Sequence, residues 1–247
     1  MEKKDIIYGT RAVIEAIVSG RGIDKIAIQK GLNNDLIKEL TGLARTNDIP
    51  ITFVPKEKLN QYSSKNHQGV ICFFSAVEFA SLENLIDQVF SEGREPFFII
   101  LDRLTDVRNF GAIVRTAECA GLDGIIIPDK GSAPITADAM KTSAGALNHL
   151  PICREKDLKK TITLLKNSGV QIVSCTEHAD RLLYDVPLAG PIALIMGSEE
   201  DGISENLLNA SDVLAKIPIN GKIESLNVSV AAGVAIYETL RQRMKSL

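Results

Sequence analysis

Apolar positions alternate between strand and helix spacing in two successive blocks. In the first, "TRAVIEAIVSG" carries its apolar residues at helical intervals and stops at Gly20. "KIAIQ" alternates as a short strand, and "NDLIKELTGLARTN" opens a second helix on an Asn/Asp cap. "ITFV" and "QGVICFFS" then read as strands. This pattern predicts a small α/β unit over residues 1–76.

Residues 77–95 read as a connector followed by an amphipathic helix, and Pro96 starts a larger unit spanning 96–247. There "FFIILD", "GIIIP", "QIVSC", "PIALIMG" and "VLAKIPI" are near-continuous apolar runs. Helical segments such as "NFGAIVRTAECAG" and "EKDLKKTITLLKNSG" separate them. Strands buried on both faces and alternating with helices predict an α/β fold with a mostly parallel sheet.

Composition narrows the function classes. The 247 residues are 45% hydrophobic and 24% charged, enough apolar material for a sizeable core. No apolar run approaches the roughly 20 residues of a membrane-spanning helix. The opening "MEKKDIIYGTRAV" lacks the apolar core of a secretory signal. Cys72, Cys119, Cys153 and Cys175 are scattered without CxxC pairs, and read as small core residues in a reducing compartment. A cytoplasmic protein without membrane or metal is expected. The formal net charge of −3 argues against a simple polyanion sponge. Residues 1–78 nevertheless hold 11 Lys and Arg against 9 Asp and Glu, a weak excess in the sense a nucleic-acid module needs.

Ligands of open α/β sheets gather at the carboxyl ends of strands, so the residues just after each strand carry the most information. After "FFIILD" there is neither G-x-G-x-x-G nor a P-loop, which disfavours a nicotinamide dehydrogenase. Asn109, Gly111 and Arg115 stand there instead, with Asn109 a candidate helix cap. After "PIALIM" comes "GSEEDGIS", where Gly197 and Gly202 bracket an acidic turn. After "VLAKIPI" comes "NGKIESLNVSVAAGVAIYE". A cap at Ser225 or Asn227 explains one polar residue, but not both around Leu226, nor the small-residue run behind them.

Together "NFGAIVRTA", "IMGSEEDGIS" and "IPINGKIESLNVSVAAGVAIYE" resemble the SpoU/TrmH family of RNA ribose 2′-O-methyltransferases, within the SPOUT superfamily. The likeness covers about residues 96–245, and the third block is the most specific. The first 75 residues are similar to the L30e-like RNA-binding domain of the branch acting on 23S ribosomal RNA, through "YGTRAVIEAI" and "NHQGVICFF". Arg11, Val107 and Glu200 depart from that branch, which commonly has His, Pro and a small residue there.

The resemblance implies a deep trefoil knot, a homodimer packed through the knotted region, and S-adenosylmethionine as cofactor. It implies methyl transfer to the ribose 2′-hydroxyl of a guanosine in 23S ribosomal RNA. A tRNA substrate is the close alternative, and a non-catalytic RNA-binding assembly factor the distant one. The matching catalytic positions are Asn109, Arg115, Glu199, Ser225 and Asn227. Cofactor contacts fall at Gly197, Ile217 and Leu226, through main-chain groups. Arg115 is either the base that removes the hydroxyl proton or a clamp on the neighbouring phosphate. A guanidinium pKa of about 12.5–13.8 weighs toward the clamp. RNA contacts are expected at Arg11 and in the loop "YSSKNHQG", at Lys65, Asn66 and His67.

Overall fold

The computed structural model describes residues 6–63 and 65–245. Two compact units emerge, residues 1–78 with 134–137, and residues 79–133 with 138–247.

The smaller unit runs β1 (Ile6–Tyr8), α1 (Thr10–Val18), β2 (Ile23–Gln29), α2 (Asp35–Thr46), β3 (Ile51–Val54), α3 (Lys56–Tyr62) and β4 (Val70–Phe74). Its sheet has the order β1-β4-β2-β3, antiparallel except for the β2/β3 pair. Asn34 caps α2 by accepting from the Ile37 amide at 2.9 Å, as the Asn/Asp start predicted. Helix α3, absent from the sequence-based expectation, has a short charged sequence and buries one residue, Leu59. One sheet face packs Ile26, Ile28 and Val70 against Val13 and Ile17 of α1 and Leu40 of α2.

The larger unit continues with β5 (Phe79–Ala80), α4 (Leu82–Ser91), β6 (Phe97–Leu101), α5 (Val107–Cys119), β7 (Gly124–Pro128), α6 (Ala137–Thr142), β8 (Ile152–Glu155) and α7 (Leu158–Asn167). It ends with β9 (Gln171–Cys175), β10 (Ile192–Met196), α8 (Glu205–Leu208), β11 (Val213–Ala215) and α9 (Val228–Lys245). Seven strands form one sheet in the order β11-β9-β10-β6-β7-β8-β5, with every described pairing parallel. All five residues of β6 and of β10 are buried, which accounts for their uninterrupted apolar sequence. Each of these side chains larger than Ala193 contributes about 1.5–3 kcal/mol through removal from water.

Three details depart from the pattern read along the chain. Residues 79–91 form the edge strand β5 and the helix α4, whose Leu82 and Ile86 lie in the larger core, so this stretch is part of that unit. β8 was not expected, because Ile152 and Cys153 alone are too short an apolar run to declare a strand. β11 stops at Ala215, short of "KIPI"; Lys216 then bonds to Arg181 and bridges Leu182 rather than continuing along β9.

The sheet order changes direction between β6 and β10. β7 and β8 follow on one side, β9 and β11 on the other. Such a switch opens a crevice beyond the carboxyl ends of the central strands.

Candidate active site

The loops after β6, β9, β10 and β11 meet at that crevice. α5 begins beside it. Asp106, rather than Asn109, caps this helix, accepting from the Asn109 amide at 2.7 Å. Asn109 therefore sits in the first turn with its side chain free to point elsewhere. The start of α5 is held close by Gly111. A Cβ at that position would lie 2.1 Å from Thr142 Oγ1 and 2.8 Å from the Thr142 carbonyl carbon. The same Thr142 hydroxyl donates to the Val107 carbonyl at 3.2 Å, so α6 seats the helix end that carries Asn109.

The turn after β10 is closed on itself. Ser198 and Gly202 exchange both backbone hydrogen bonds at 3.1 Å, and Ser198 Oγ accepts from the Asp201 amide at 3.0 Å. A Cβ on Gly197 would fall 2.1 Å from the Gly202 carbonyl carbon, so only glycine permits this closure. Glu199 stands exposed at the tip.

Asn227 joins these pieces. Its Oδ1 accepts from the Ser229 amide at 3.0 Å and from the Ser229 hydroxyl at 2.5 Å, and its carbonyl accepts from Ala231. That is an N-cap of α9. The amide nitrogen of the same side chain donates to Glu199 Oε1 at 2.6 Å and to Asn109 Oδ1 at 3.1 Å. Three expected catalytic residues, Asn227 with Glu199 28 positions away and Asn109 118 positions away, thus form one hydrogen-bonded group. Ser229 is drawn in as the residue that fixes the cap.

A cleft of about 390 Å³ opens against this group, bounded by Gly197, Glu199, Ser225, Leu226 and Asn227. A smaller pocket of about 80 Å³ adjoins it, sharing Ser225 and Leu226 and adding Ile217. All three expected cofactor positions therefore line one continuous depression. Ser225 lies on its wall. Arg115 does not line it; this residue is exposed on α5 and has no hydrogen bond or ion pair among the described residues.

The sequence reading missed Cys175, Thr176 and Glu177, which follow β9 and line both pockets. The carboxyl-end rule applies to β9 as it does to β10, so "SCTEH" carried the signal. Burial pushes the Cys175 thiol up to about 12, leaving it a neutral wall at physiological pH. Arg103 was also missed; it binds the turn after β10, through Asp201 at 3.2 Å and the Gly202 carbonyl at 3.1 Å.

In the smaller unit, Arg11, Lys65 and Asn66 are exposed. Ser64, in the same loop, lies outside the described residues. His67 departs from the expectation of an RNA contact. It is 5% exposed, its Nδ1 accepts from the Gly69 amide at 3.0 Å, and its Nε2 meets Asn60 Oδ1 at 2.9 Å. Both ring nitrogens are occupied, so the ring shapes the loop from within. Among the cysteines, Cys119 departs from the core expectation by lying exposed near the end of α5.

Two sequence profiles match the chain. One describes the SpoU rRNA methylase family and covers residues 96–237; the other describes RNA 2′-O ribose methyltransferase substrate binding and covers residues 6–80. YacO of Bacillus subtilis (strain 168), assigned to the TrmH family of tRNA/rRNA methyltransferases, is 35% identical over 242 residues, 98% of this chain and 97% of that one. A Staphylococcus saprophyticus protein assigned to the same family is 39% identical over 239 residues, 96% of each chain. In three dimensions the chain is similar to the SpoU methyltransferase AviRb from Streptomyces viridochromogenes, solved in complex with the cofactor AdoMet. The TM-score is 0.62 at 23% identity, over 97% of this chain and 90% of that one. The A. aeolicus TrmH/SpoU tRNA modifying enzyme superposes with a TM-score of 0.57 at 26% identity, over 67% and 85% of the two chains.

Proposed function

Because the chain belongs to the SpoU/TrmH family of tRNA/rRNA methyltransferases, we propose that it methylates the ribose 2′-hydroxyl of a guanosine in 23S ribosomal RNA, using S-adenosylmethionine. The observation that carries this reading is the bridge from Asn227 to both Glu199 and Asn109, standing at the edge of a cleft of cofactor size.

The residues present suit the cofactor. About 390 Å³ falls within the range of small-molecule sites, roughly 300–1,000 Å³. Met196, Ile217 and Leu226 offer apolar surface, while Thr176, Glu177 and Ser225 offer polar atoms to a ribose or an amino-acid portion. The missing Cβ of Gly197 lets the Gly202 backbone close against it, which shapes the cleft wall there. Bound there, S-adenosylmethionine supplies an electrophilic methyl group that leaves its sulfur for the attacking oxygen, so the protein needs chiefly to align and deprotonate.

Glu199, held by Asn227, orients neighbouring groups and keeps a fixed negative charge beside the acceptor. Ser225, on the shared wall, lies next to the incoming hydroxyl. Arg115 has no polar partner among the described residues, so its guanidinium is available to clamp a phosphate beside the acceptor ribose and to stabilise charge developing on the oxygen. The proton then leaves through that phosphate or water.

The substrate-binding profile over residues 6–80 names 2′-O ribose methylation and supports both the ribose target and an RNA-gripping role for the smaller unit. The knot and a homodimer belong to the same reading. Exposed Val230, Tyr237 and Met244 on α9 supply apolar surface for a second copy. A cytoplasmic location follows from the RNA substrate, and no helix among the described residues is long and apolar enough to cross a membrane.

The test is transfer of radiolabelled methyl groups to undermethylated 23S rRNA and, in parallel, to tRNA, followed by mapping of the modified nucleotide. Label on a guanosine ribose of 23S rRNA supports the proposal. Label on tRNA alone overturns the choice of substrate. No label on either RNA, with no calorimetric heat on adding S-adenosylmethionine, overturns the enzyme reading in favour of an assembly factor.

A further inference from the structure

Arg103 occupies backbone that is rarely given to an arginine. Its φ is +57°, in the left-handed region where a side chain other than glycine is strained. Such a conformation persists where surrounding contacts fix it, and here the contacts all run to one place. Arg103 Nη1 donates to Asp201 Oδ2 at 3.2 Å, Nη2 to the Gly202 carbonyl at 3.1 Å, and Nε to Asp102 Oδ2 at 3.4 Å. The Asp102 carboxylate, largely buried, also accepts from the Ser204 amide at 2.7 Å. Its backbone amide donates to the Met196 carbonyl at 2.8 Å, extending the β6/β10 pairing. Residues 102 and 103 therefore grip both ends of the turn that carries Glu199.

That turn has reason to need a grip. Glu199, Glu200 and Asp201 place three carboxylates in succession, and repulsion among them favours opening. The guanidinium of Arg103 is the cation set against Asp201. That ion pair is exposed and weak on its own. Its geometry matters more, because one rigid fork fixes a side chain and a backbone carbonyl together. The turn is also the partition between two clefts. The candidate cofactor cleft lies on one side, and on the other is a cleft of about 400 Å³ bounded by Arg103, Thr105, Asp106 and Glu199. Arg103 touches only the outer side. It reaches the cofactor cleft through the turn alone.

We propose that Arg103 is a positioning residue for methyl transfer, holding the 198–202 turn so that Glu199 meets Asn227. This rests on the reading of the Asn109–Glu199–Asn227 group as the active site. Displacing a reacting group by about 1 Å can cost up to a hundredfold in rate, so a loosened turn is visible in turnover.

The test compares wild type, Arg103→Gly, Glu199→Gln and the double variant. Glycine at 103 accepts the left-handed backbone without strain, so the melting temperature should stay level or rise while the fork is lost. Methyl transfer by R103G should fall between about tenfold and a hundredfold. In the E199Q background the same change should cost less than about twofold, because the carboxylate charge whose placement Arg103 sets is already gone. Arg103→Lys, which keeps charge but not the fork, should fall between wild type and R103G, and carries the test if R103G melts early. Full activity of R103G beside an impaired E199Q overturns the inference, as does a loss of equal size in both backgrounds. Full activity of E199Q overturns the reading of the site itself, and the inference with it.

Discussion

Asn227 and Glu199, 28 residues apart in the chain, meet at 2.6 Å, with the amide nitrogen donating to a carboxylate oxygen. The opposite end of the same amide caps α9, so one side chain serves helix stability and site geometry through separate atoms. The two roles can therefore be separated. Asn227→Asp retains an oxygen for the cap, and aspartate caps about as well as asparagine. It loses both donor bonds and sets a second carboxylate against Glu199. The melting temperature should change little while methyl transfer falls at least about a hundredfold. Asn227→Ala should lose the cap as well, about 1 kcal/mol of stability. Thermal melts paired with turnover assays check this, and an active N227D would remove the bridge from the mechanism.

Arg115 offers the opposite situation, a side chain expected to matter for chemistry and not for folding. It is exposed and without a polar partner among the described residues. Arg115→Ala and Arg115→Lys should thus leave unfolding free energy within about 0.5 kcal/mol of wild type. Both should lose most activity, since lysine keeps the charge but cannot hold a phosphate through two parallel bonds. Turnover at wild-type level in R115K would discard the clamp and the base alike.

Gly197 tests the closed turn directly. An added Cβ meets backbone at 2.1 Å, which no rotamer change relieves. Gly197→Ala should cost about 1–3 kcal/mol and weaken calorimetric binding of S-adenosylmethionine. Gly190→Ala is the control, because nothing lies within 4 Å of its added carbon and its φ is not positive. It should stay within about 0.5 kcal/mol of wild type. Equal behaviour of the two variants would show that the turn is not closed as described.

Much of this was legible along the chain, and the exceptions share a cause. β6 and β10 announced themselves because central parallel strands are apolar on both faces. β5 and β8 did not, since strands of two and four residues carry too little pattern. Asn109, Glu199 and Asn227 were each visible as polar residues after strands, yet their meeting depends on pairings 28 and 118 residues long, which no local signal encodes. The cap of α5 was assigned to Asn109 because asparagine caps well; Asp106 caps equally well and stands three residues earlier, where the helix begins. Arg103 left no trace at all, because a left-handed φ is invisible in a residue other than glycine.

His67 and Lys65 sit two residues apart and should respond differently. His67 is buried between Asn60 and the Gly69 amide, whereas Lys65 is exposed with its Nζ 5.5 Å from the centre of the Tyr8 ring. Removing the imidazole leaves the buried Gly69 amide without its acceptor, while the exposed Asn60 can turn to water, so His67→Ala should cost about 1–3 kcal/mol of stability. Below its melting temperature that variant should keep the salt dependence of RNA binding, having lost no phosphate contact. Lys65→Ala should melt within about 1 kcal/mol of wild type, the size of an exposed cation–π contact. If the loop meets RNA, it should bind more weakly and flatten the plot of log affinity against log salt by about one charge. Filter binding from low to moderate salt, with thermal melts of each variant, separates them. A well-folded H67A with a flattened salt slope would return the histidine to the RNA surface, and a K65A slope equal to wild type would remove the lysine from it.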